Sequence, residues 1–120
     1  MAKKINIEIT TENEAAVVTF KATSISDAKG ITSATKQIEE FIEGNHPNTI
    51  IFDFEQVKFF SSQVLGLLLN IRAKLRAYNG KVLISAIDPQ LHRIFKITNL
   101  SRIFEFFPDK ESAIKTIKTN

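Results

Sequence analysis

Residues 50–80 constrain this chain more than any other stretch, because an apolar run, a short loop and a long helical pattern follow one another there. Ile50, Ile51, Phe52 and Phe54 flank Asp53 in a run that is almost continuously apolar, the pattern of an interior strand covered on both faces. The loop over residues 55–60 carries Val57 as its anchor. Phe59 and Phe60 then push the chain into the core, and Ser61 and Ser62 stand where a helix should begin. That position favours a hydroxyl, which can cap free N–H groups. Residues 62–78 are apolar around more than half the circumference at first, then give Arg72, Lys74 and Arg76 to water, and Asn79-Gly80 terminates the helix.

The flanking sequence supplies a sheet and further helices. Ile5, Ile7 and Ile9 alternate with Asn6, Glu8 and Thr10, the period of a half-buried strand. Glu12-Asn13-Glu14 reads as a turn into a second strand over residues 16–20, so the first two elements form a hairpin. Ser24, Ser26 and Asp27 carry helix-start chemistry, with Ser24 and Asp27 at capping-box spacing. Ala28, Ile31, Ala34 or Thr35, Ile38, Phe41 and Ile42 then line one helix face, which Gly44 and Pro47 end. A buried strand over 81–86, a helix opened by Asp88-Pro89, a short strand over 103–106 and a helix from Pro108-Asp109 complete the chain. The inner face of that last helix is Ala113, Ile114 and Ile117. The expected fold is a single α/β domain over residues 1–120, a mixed sheet of four to five strands with about four helices in the order ββαβαβαβα.

Composition narrows the function. With 120 residues, 43% hydrophobic and 24% charged, the chain suits one soluble core. It lacks the ~18-residue apolar run of a membrane span and opens on Met1-Ala2-Lys3-Lys4 without a signal core, which implies a cytoplasmic protein. Zero cysteines exclude thiol catalysis and cysteine-ligated metals, and His46 and His92 have no metal-motif spacing. No nucleophile elbow, phosphate loop or glycine-rich cradle is present, so neither catalysis nor a cofactor is expected. The net charge of +3 and the basic residues Arg72, Lys74, Arg76, Lys81, Arg93, Lys96 and Arg102 lack interleaved aromatics, and they read as solvating cations rather than a nucleic-acid surface. Asp53 and Asp88, near strand ends, leave a small-molecule or nucleotide site as one alternative.

Residues 50–106, from IIFDFEQVKFFSSQVLG to RIFKITNLSRIFEF, resemble the STAS domain (sulphate transporter and anti-sigma factor antagonist), most of all the free-standing anti-anti-sigma factors of bacteria. On the family pattern V-x-F/Y-hydrophobic-D-S-S/T-G-L-G, Val57, Phe59, Leu65 and Gly66 match, and Ser62 falls on the phosphorylated serine. Ser61 replaces the aspartate, Gln63 the next Ser/Thr and Val64 the glycine. The resemblance implies a non-enzymatic partner-switching module. Its partners would be a serine kinase/anti-sigma factor of the histidine-kinase-like ATPase type and a resetting PP2C-type phosphatase. Ser62 would be the control point, with Ser61 the lesser candidate. Partner contacts would come from Phe59, Ser61, Gln63 and Val64, with Thr23, Ser24 and Ser26 nearby, and Val64 thickening that surface. The same departures leave open an adaptor that keeps the fold without the phosphoswitch.

Overall fold

The computed structural model describes residues 6–117. The chain begins with a hairpin of β1 (Ile7–Glu12) and β2 (Ala15–Phe20), joined by Asn13 and Glu14. Both turn residues have positive φ, 52° and 71°, as a two-residue turn matching the strand twist requires. Ile5, assigned to this strand from its alternation, lies outside the described residues. The remaining elements are β3 (Ser24–Ile25), α1 (Ala28–Asn45), β4 (Thr49–Asp53), β5 (Phe59–Phe60), α2 (Ser62–Arg76), β6 (Lys81–Ser85), α3 (Pro89–Ile97), β7 (Glu105–Phe107) and α4 (Lys110–Lys115). A 3-10 turn at Leu100–Arg102 follows α3.

The main sheet runs β1-β2-β4-β6-β7, with β1 antiparallel to β2 and the other pairs parallel. Alternation within the strands divides the core in two. Val18, Phe20, Ile50, Phe52, Val82 and Ile84 point to one face, where α1, α2 and α3 cover them. Ala15, Val17, Ile51 and Leu83 point to the other, under Ala113 and Ile114 of α4. A strand with apolar residues on both sides is what the continuous run around Phe52 demands, and each fully buried side chain of this size contributes roughly 1.5–3 kcal/mol.

Helix ends depart from the sequence reading in instructive ways. Ser24 does not cap α1. It is held in β3, and Asp27 caps instead, its Oδ2 accepting the Gly30 amide at 2.7 Å. Gly44 does not stop α1 either, since the helix runs on to Asn45 and ends at His46, left-handed with φ 45°. At the end of α2, Asn79 takes the left-handed conformation (φ 69°) and the Gly80 amide donates to the Leu75 carbonyl at 2.7 Å. Gly80 is needed for close approach, because a Cβ there would sit 3.0 Å from the Asn48 carbonyl oxygen. The last strand starts at Glu105 rather than Ile103, which closes the 3-10 turn.

Candidate partner-binding site

The loops beyond the carboxyl ends of β2 and β4 are joined by a second, two-stranded sheet. β3 and β5 pair in parallel, Ser24 opposite Phe59 and Ile25 opposite Phe60. The Lys58 and Phe59 amides both donate to the Thr23 carbonyl, at 2.7 and 3.1 Å, and the Ser61 amide donates to the Ile25 carbonyl at 2.9 Å. Alternation along these short strands buries Ile25 and Phe60 in the main core and leaves Ser24 and Phe59 facing water. Phe59 is 53% exposed, one of the few large apolar side chains of the described residues left open to water.

The chain passes from β5 straight into α2. Ser61 occupies the N-cap position in extended conformation, and its carbonyl accepts the Val64 amide at 3.0 Å. Its hydroxyl makes no cap bond. The Ser61 Oγ is buried and has no hydrogen-bond partner among the described residues. The first turn of α2 contains no acidic residue, so the positive end of the helix dipole is not offset from within the helix. Ser62 is the first helical residue, and it is exposed. Gln63 is exposed too, its Nε2 reaching the Ala28 carbonyl at 3.4 Å across the start of α1.

Val64 is a correction. It is fully buried, because Val64, Leu68, Ile71 and Leu75 recur at helical spacing on the inner face of α2, so it offers a partner nothing. That periodicity was visible in the sequence and outweighs a position in a loop motif. The other residues assigned to this surface converge: Ser24 on β3 with Thr23 and Ser26 flanking it, Phe59 on β5, Ser61 at the N-cap of α2, and Ser62 and Gln63 on its first turn. The pairing that unites them links positions some 35 residues apart in sequence and leaves no local signal. Beside Gln63, a groove of about 460 Å³ opens between α1 and α2, with Ile31, Thr35 and Glu39 facing Gln63, Gly66 and Asn70. Gly66 leaves its floor as bare backbone; a Cβ there would meet nothing within 4 Å.

Asp53 and Asp88 have separate surroundings. Burial pushes the Asp53 carboxyl above its ordinary range, opposed by the Glu55 amide, which donates to Oδ1 at 3.2 Å. Asp88 caps α3 by accepting the Gln90 amide at 2.9 Å and lies 3.6 Å from the Lys58 ammonium. A cleft of about 300 Å³ near Asp53 is lined by Glu55, Asp109, Lys110 and Glu111 but not by Asp88, and its excess of carboxylates disfavours phosphate. His92 stacks on Phe106 at 4.1 Å, and burial together with Lys96 holds its imidazole below the usual range. His46 closes α1, edge-on to Tyr78.

The family model of the STAS domain matches residues 6–113. The chain belongs to the STAS domain family. Among solved structures, the anti-sigma factor antagonist SpoIIAA in its unphosphorylated form is 21% identical, with 96% of this chain and 100% of that chain covered and a TM-score of 0.82. The Bacillus cell fate determinant SpoIIAA in the phosphorylated form is 22% identical, covering 94% and 100%, with a TM-score of 0.73. A sulfate transporter family protein from Wolinella succinogenes is 14% identical, covering 91% and 88%, with a TM-score of 0.71. The STAS fold thus accounts for the five-stranded mixed sheet and four helices described above. No helix among the described residues of this STAS domain is long and apolar enough to cross a membrane.

Proposed function

We propose that this STAS domain is a cytoplasmic, non-enzymatic partner-switching module of the anti-sigma factor antagonist type, controlled by phosphorylation at Ser62. Its partners are a serine kinase/anti-sigma factor of the histidine-kinase-like ATPase type and a PP2C-type phosphatase. The observation that carries this reading is the position of Ser62, exposed at the first turn of a helix with no side-chain cap, beside the exposed ring of Phe59. A phosphoryl group there adds nearly two negative charges where backbone N–H groups and the helix dipole tolerate them, so the fold survives. A docked partner meets the added bulk, hydration and charge, and releases. Similarity to SpoIIAA in both its unphosphorylated and phosphorylated forms supports a fold that accommodates both states.

Incubation with ATP and each histidine-kinase-like serine kinase of the same organism, followed by intact mass and peptide mapping, tests the proposal. One phosphate on Ser62 is the expected result, and Ser62→Asp should weaken binding of that kinase by more than about tenfold, ~1.4 kcal/mol. Equal affinities for wild type and Ser62→Asp would overturn the switch. A second reading, an adaptor without the phosphoswitch, is favoured by Ser61, which supplies neither the cap nor the charge of the aspartate in the family pattern. Binding without phosphate transfer from any kinase identifies that case.

A further inference from the structure

We infer that the far end of α2 carries a second interaction surface, a basic cleft that receives an acidic, partly apolar segment of another protein. Arg72 and Arg76 of α2, Lys81 at the start of β6, and Ile103 and Glu105 on the approach to and start of β7 line it. Three cations there face one carboxylate. Among the described residues, none of Arg72, Arg76, Lys81 or the adjoining Arg102 makes an ion pair, whereas Lys74 on the same helix lies 3.8 Å from Glu39. Complementing the α2 dipole accounts for Lys74 and Arg76 in its last turn but not for Arg72, Lys81 or Arg102.

Chemistry selects the occupant. The cleft holds about 120 Å³, below the roughly 300–1,000 Å³ of small-molecule sites, and so admits the end of one side chain. Ile103 is 38% exposed at its edge; Ile97, the last residue of α3, is 78% exposed, and Lys96 and Arg102 also face water. Apolar groups interleaved with unpaired cations fit glutamates or aspartates set among leucine-like side chains. Duplex nucleic acid would leave the isoleucines uncovered and bring phosphates against Glu105, and a flat bilayer cannot enter a concave cleft. The 15 residues of α2 place this surface about 20 Å from Ser62, far enough for both ends to be occupied together.

The test is titration of the isotope-labelled full chain with a synthetic amphipathic helical peptide whose apolar face is a stripe of leucines bordered on both sides by glutamates. An isomer of the same composition without an apolar face, phosphatidylglycerol vesicles and duplex DNA serve as competing probes. The expected result is amide shifts at Arg72, Arg76, Lys81 and Ile103, with none from Phe59 to Gln63, and an affinity at least tenfold lower for Arg72→Glu with Arg76→Glu. Should that double variant fail to fold, Lys81→Glu and Ile103→Ser, both at exposed positions, read the same contacts. Undiminished affinity in the charge-reversal variants, shifts confined to the Ser62 end, or tighter binding of vesicles, DNA or the isomer than of the amphipathic peptide would overturn the inference. None of these outcomes depends on whether Ser62 is phosphorylated.

Discussion

Three helices of this STAS domain begin in one way and the fourth in another. α1, α3 and α4 each start at an aspartate whose carboxylate accepts an amide of the first turn: Asp27 from Gly30 at 2.7 Å, Asp88 from Gln90 at 2.9 Å, Asp109 from Ser112 at 2.8 Å. α2 starts at Ser61, whose hydroxyl bonds nothing described. The first three are fixed by local electrostatics. The start of α2 is fixed by what lies on either side of it, namely Phe60 packed below and Val64 buried one turn above. A helix end secured by packing keeps its outward groups free for another molecule.

Substitutions can break this contrast. Val64→Ala should have the largest effect, a loss of about 2 kcal/mol by denaturant unfolding, since two buried methyl groups leave and a cavity remains. A much smaller loss would mean that packing does not hold the start of α2. Asp27→Ala should cost about 1 kcal/mol, the usual worth of an N-cap. Ser61→Ala should cost nothing or raise the melting temperature, because it removes a buried hydroxyl without a partner. If it destabilised as much as Asp27→Ala, Ser61 would be a working cap after all.

The smallest effect separates two kinds of carboxylate by pH. Hydrogen bonds from Ser112 hold Asp109 below its ordinary range, so its contribution is present at neutral pH and lost as pH falls through its lowered folded value. Burial holds Asp53 above 3.8, so the stability cost of ionising it builds up as pH rises above 3.8 and is complete once pH passes the raised folded value. Asp53→Asn should therefore raise the melting temperature modestly at neutral pH, with the gain vanishing below about pH 3.8. A gain that persists under acid would assign the effect to packing rather than charge.

The fold was legible wherever a period ran long enough to be read. Ile31, Ile38 and Ile42 declare the inner face of α1, and the apolar run around Phe52 declares an interior strand. Local chemistry also gave Asp88-Pro89 as a helix start. The site was legible only in part. Ser62 and Phe59 are exposed, while Val64 is buried because its helical neighbours, not its loop neighbours, decide its environment. Ser24 looked like a cap because its partner, Phe59, is remote in sequence. Two-residue strands have no period to detect.

The β3–β5 pair also bears on the entropy of recognition. Ile25 and Phe60 are core residues, so the strands that display Ser24 and Phe59 cannot shift without withdrawing both from the interior. The surface is preorganised, and little conformational entropy remains to be lost when a partner arrives. A phosphoryl group on Ser62 would then have nothing to unfold, and its effect would fall on the contact itself rather than on the conformation of the free protein.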